Sequence, residues 1–137
     1  MKRNIPFQNL AASKLKEAGQ EGTRLNGRVE DGATVISACF TVLSSKDKLE
    51  ALLSQELKDL AAQVYEHNGI IGHIKASTEI RSMQMYSITD TILHVKNGEK
   101  DTITVTFAFI LYLIDVDTAT EWTKQIIERI QTETRQS

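Results

Sequence analysis

The sequence predicts an α+β fold in which one antiparallel sheet of about five strands carries three helices, in the order α-β-β-α-β-β-β-α. Three observations lead there. Apolar residues recur at helical spacing in three separated stretches, period-two alternation fills the intervals, and turn residues suited to hairpins join strands within each group. Hairpin links imply antiparallel pairing, and amphipathic helices need a sheet to lie on. At 137 residues the chain suits a single domain, residues 1–137, able to fold without metal or disulfide staples.

The elements follow in order. Asn4-Ile5-Pro6 opens a first helix, because proline suits the first helical position, where its missing N–H is not needed. Phe7, Leu10, Ala11, Leu15 and Ala18 form its stripe, and Gly19 with Gly22 stops it. From Arg24 to Leu43 the pattern is strand, broken by Asp31-Gly32, with Asn26-Gly27 as a competing turn. Ile36, Ala38, Phe40 and Val42 share the expected core face of the second strand.

Ser44 or Ser45 caps the strongest helix, Asp47 to about His67, whose stripe runs through Leu49, Leu52, Leu53, Leu57, Leu60, Ala61 and Val64. Asn68-Gly69 ends it. Ile70 to Ile80 then alternates, with Ile70, Ile74, Ala76 and Ile80 toward the core and His73, Lys75, Ser77 and Glu79 opposite. Another strand is expected near Ser87 to Lys96, followed by a hairpin connection at Asn97-Gly98-Glu99-Lys100-Asp101.

The strand from Thr102 to Asp115 begins half exposed and becomes apolar on both faces from Phe107 to Ile114, which predicts cover on both sides, by helices or by another subunit. Thr118 with Glu121 reads as a capping box for a last helix carrying Trp122, Ile126, Ile127 and Ile130 on one face. The same element order occurs in profilin-like and roadblock-type domains. That likeness is one of order alone, carried by no motif, and a ferredoxin-like arrangement with an extra hairpin is its competitor.

Composition narrows the classes of function. Sixteen Lys and Arg against eighteen Asp and Glu give a net charge of −2, with both signs scattered, which argues against a nucleic-acid footprint or a polybasic membrane anchor. The longest apolar run, Phe107 to Ile114, is far short of the roughly 20 residues of a membrane helix. A single cysteine, Cys39, and an N-terminus without a secretory apolar core point to the cytoplasm.

No catalytic signature, metal-ligand spacing or phosphate loop is found, so neither cofactor nor metal is expected and the balance leans away from an enzyme. His67 and His73 are too far apart in sequence for a local zinc motif. Cys39 in mid-strand reads as a buried, inert thiol. Gly69-Ile70-Ile71-Gly72 has the G-x-x-G form of a backbone-clamping RNA loop, but isoleucines occupy the positions where phosphate would want polar groups.

Two features remain. His73, Lys75, Ser77, Glu79 and Arg81 share one strand face, where His73, Lys75, Glu79 and Arg81 form a candidate ligand-binding set with His73 as proton carrier. An apolar surplus in Trp122 and the last-helix isoleucines, in Phe107 to Ile114, and around Met83, Met85 and Tyr86 suggests self-association as a two-fold dimer. The preferred expectation is a non-enzymatic interaction or scaffold protein acting as a homodimer. A small-molecule-binding protein or enzyme with a pocket around His73, and an RNA-binding module, are the alternatives.

Overall fold

The computed structural model describes residues 22–82, 84–89, 92–97 and 100–136. Strands β1 (Arg24–Glu30) and β2 (Ala33–Ser44) precede helix α1 (Lys46–Glu66). Strands β3 (Ile70–Arg81), β4 (Gln84–Thr89), β5 (Ile92–Asn97) and β6 (Asp101–Tyr112) lead to helix α2 (Val116–Arg135). Among the described residues the sheet has four strands in the order β1-β2-β6-β3, all antiparallel, while β4 and β5 pair there with each other. Five strands in one sheet are thus replaced by four plus a separate ribbon. The expected N-terminal helix lies outside the described residues.

Local chemistry explains the junctions. Asp31 and Gly32 take φ of 53° and 81°, the paired left-handed residues that match a hairpin turn to strand twist, while Asn26-Gly27 remains inside β1. Ser45 caps α1 through its hydroxyl, which accepts from the Lys48 N–H at 3.2 Å. The far end of α1 closes with two crossed bonds, Gly69 N–H to the Val64 carbonyl at 2.8 Å and Asn68 N–H to the Tyr65 carbonyl at 3.0 Å.

The last helix starts earlier than its expected capping box. Asp115, in extended conformation, is the N-cap and accepts from the Thr118 N–H at 3.1 Å, which places Thr118 in the first turn rather than at the cap. Asn97 to Asp101 does not join paired strands either, because β5 pairs with β4 whereas β6 pairs with β2 and β3. Gly98 and Glu99 lie outside the described residues.

Both helices pack on one face of the sheet. Ile36, Ala38, Phe40 and Val42 of β2 and Ile103, Val105, Phe107, Phe109 and Leu111 of β6 meet Leu49, Leu53, Leu60 and Val64 of α1 and Trp122, Ile126, Ile127 and Ile130 of α2. The α2 part of the apolar surplus is therefore consumed by the chain's own core. Beyond Phe107 the last strand still alternates, with Phe107, Phe109 and Leu111 buried, Ile110 half-buried and Ala108 and Tyr112 exposed. Among the described residues the chain's own helices cover one side of this strand.

Candidate functional site

The face of the sheet away from the helices follows from the pairing register, because directly opposed residues share a face. Across β1, β2, β6 and β3 its rows are Arg28, Val35, Ile110, His73; then Asn26, Ser37, Ala108, Lys75; then Arg24, Cys39, Thr106, Ser77. Two further rows lack β1 and read Thr41, Thr104, Glu79 and Leu43, Thr102, Arg81. Small and hydroxylated side chains occupy the middle, where the Thr41 and Thr104 hydroxyls lie 3.3 Å apart. Long charged side chains stand along both edges.

One end of this face is apolar. Ile70 and Tyr112 are cross-strand partners with 54% and 39% of their surfaces exposed, and they adjoin half-buried Ile110 and Val35. Leu113 follows Tyr112 in the left-handed region, with φ of 66°, and is 74% exposed.

Gly72 helps to shape this end. The Tyr112 ring and the Ile110 side chain and carbonyl lie 2.9 to 3.1 Å from where a Cβ on Gly72 would sit, so an aromatic side chain lies over a glycine on the adjacent strand. The pairing of β3 with β6 shifts register between Ile71 and His73, at this glycine. That bulge corrects the expected core face of β3. Ile71 rather than Ile70 packs on the core, together with Ile74 and Ala76, and Ile80 at 38% exposure belongs only to the margin.

His73, Lys75, Glu79 and Arg81 do lie on one side of β3, all exposed. They form a line rather than a ring: eight residue steps along the strand set His73 about 26 Å from Arg81. Two grooves among the described residues lie elsewhere and include none of these four. One of about 480 Å³ runs between the helices and is lined by Glu56, Gln125, Glu128, Arg129, Thr132 and Glu133. A smaller one of about 280 Å³ forms where the end of β2 meets Gln131, Thr134 and Arg135.

The larger groove is already occupied by an ion pair. Arg129 donates to both carboxylate oxygens of Glu56, through Nε at 3.0 Å and a terminal nitrogen at 2.9 Å, and this hydrogen bonding raises the guanidinium pKa above its ordinary value. Lys48 Nζ adds a second tie between the helices by donating to the Glu133 carbonyl at 2.7 Å.

The remaining sequence candidates have structural uses. Cys39 is half-buried on the open face rather than fully buried, with the Thr106 hydroxyl 3.9 Å from its sulfur. His67 caps α1, its Nδ1 lies 2.9 Å from the Gln63 carbonyl, and its ring meets Trp122 edge to face at 4.9 Å. Gly69 is buried beneath Ile114, whose side-chain carbons lie 2.6 Å from a Cβ position there. Both glycines of the G-x-x-G stretch thus make room for packing.

Among the described residues no cluster of His, Cys, Asp or Glu has metal-binding geometry, and no helix is long and apolar enough to cross a membrane. His94 lies in β5. Sequence reasoning missed the apolar end of the open face because Ile70 was assigned to the core and Leu113 to a strand interior. Compared with known proteins, the chain matches no family model, no curated protein and no solved structure.

Proposed function

We propose that this chain is a non-enzymatic protein–protein interaction or scaffold protein that acts as a homodimer and offers the uncovered face of its sheet to another protein. The observation that carries the reading is the apolar end of that face, where Ile70, Tyr112 and Leu113 stand exposed beside Val35 and Ile110. Contiguous apolar and aromatic surface rimmed by charge is characteristic of interaction sites, and here Arg28 and His73 supply the flanks of the adjoining row. A reducing cytoplasm suits the partly accessible Cys39 thiol.

Sedimentation equilibrium tests the homodimer directly. The weight-average mass is expected to rise from one chain toward two as concentration increases through the micromolar range. A mass that stays at one chain up to several hundred micromolar would remove the homodimer from this reading.

A further inference from the structure

The outer edge of β3 is paired to no strand among the described residues, although β3 has 12 residues and lacks proline. Such an edge presents free N–H and C=O groups to any strand that approaches, and proteins usually block it. Gly72 and its bulge disturb only the beginning of β3, so the regular stretch runs from His73 to Arg81 with Ser77 at its midpoint. Lys75, the kind of residue that blocks an edge, is matched by a glutamate at the same distance on the other side of that midpoint.

We propose that β3 pairs antiparallel with β3 of a second copy about a two-fold axis at Ser77, joining the two four-stranded sheets into one. This inference rests on the homodimer reading and assigns its contact. In that register Lys75 faces Glu79 of the second copy and Glu79 faces its Lys75, while His73 and Arg81 stand opposite each other at the two ends of the stretch. On the helix side Ile74 faces Ile80 and Ala76 faces Thr78, so the half-covered Ile80 gains an aliphatic neighbour. Around Ser77 the segment Ile74-Lys75-Ala76-Ser77-Thr78-Glu79-Ile80 is therefore complementary to itself in charge, size and face.

Other registers fail on simple grounds. A one-residue slip turns the open face of one copy toward the helix face of the other. Centring on Lys75 or on Glu79 sets like charges opposite, and centring on Thr78 sets Lys75 against Arg81. Centring on Ala76 leaves Lys75 opposite Ser77 without a carboxylate. Only the axis at Ser77 joins Lys75 to Glu79.

The other edge offers less. β1 has seven residues, its midpoint is Gly27, which supplies no side chain at an axis, and its terminal Glu30 already faces Arg28 at 3.6 Å.

Charge reversal with rescue tests the register. Lys75→Glu and Glu79→Lys are substitutions at exposed positions, expected to leave the circular dichroism spectrum unchanged, and each sets two like-charge pairs across the axis. Each is expected to weaken the dimer about tenfold by sedimentation, while the double variant K75E/E79K returns to within about threefold of the starting affinity. In a Cys39→Ser background, Ser77→Cys is expected to form an intermolecular disulfide on mild oxidation, because directly opposed residues have suitable spacing. Thr41→Cys, on the same face two strands in from the edge, is expected to stay monomeric on a non-reducing gel.

The outcomes separate the two claims. A chain that is monomeric at every concentration overturns both. A dimer that ignores the charge reversals, or whose Ser77→Cys form does not cross-link, overturns the β3 contact and leaves the homodimer standing.

Discussion

Leu113 holds a left-handed backbone conformation at φ 66° while 74% of its surface faces solvent. For a side chain with a Cβ this conformation costs on the order of 1–2 kcal/mol, and an exposed leucine recovers little of that through burial. Leu113→Gly is therefore expected to raise the unfolding free energy in urea by about 0.5–1 kcal/mol, the relief of strain exceeding the extra chain entropy of glycine. A loss of stability would mean that the leucine packs more than its exposure indicates. A gain would mark the residue as retained for contact rather than for folding. Similar distinctions limited what single residues revealed in the sequence. The pair Asn68-Gly69 marked the end of a helix correctly, but Asn68 makes the turn at φ 61° and Gly69 is small because of Ile114. The first of these is local chemistry, whereas the second depends on a side chain 45 positions further along the chain.

Elements differ in how much of their geometry is local. The α1 stripe and the Ser45 cap were legible because helical spacing and capping act within a few residues. β3 was legible as a strand but not in its facing, since the bulge at Gly72 belongs to a close approach of Tyr112 and Ile110 on β6. The division of residues 84–97 into β4 and β5 was missed for a related reason: the sequence between Thr89 and Ile92 contains no glycine or proline to announce a turn. Relations between elements were the least visible, and the clamp from Arg129 of α2 to Glu56 of α1 is an example. Its two parallel hydrogen bonds have good geometry, but Arg129 is 52% exposed, so solvent screening holds the coupling to about 0.5–1 kcal/mol. A double-mutant cycle with Glu56→Ala and Arg129→Ala, followed by thermal unfolding, is expected to return that coupling and to lose part of it in molar salt. Strictly additive single effects would show that the pair contributes nothing to helix docking.

At the scale of the molecule, a single covered face makes the sheet unequal across its width. β2 and β6 have strand partners on both sides, and Phe40, Val105, Phe107 and Phe109 beneath them are at most 1% exposed, so their amides exchange only when the whole sheet opens. Among the described residues β1 and β3 each have one edge paired to no strand, where alternate amides point away from the sheet and are expected to exchange without unfolding. The proposed association through β3 would break the likeness between these edges. In that dimer outward amides between Ile74 and Ile80 would be bonded, and exchange would proceed from the free monomer alone. With nine-tenths of the chain associated, their exchange is expected to slow about tenfold, by mass action, while β1 keeps its rate. Hydrogen exchange read by mass spectrometry at two protein concentrations, one well below and one well above the dissociation constant, measures both edges in the same sample. Equal slowing of β1 and β3 would point to a contact across the open face rather than along the edge. Slowing of β1 alone would move the two-fold axis to the opposite side of the sheet.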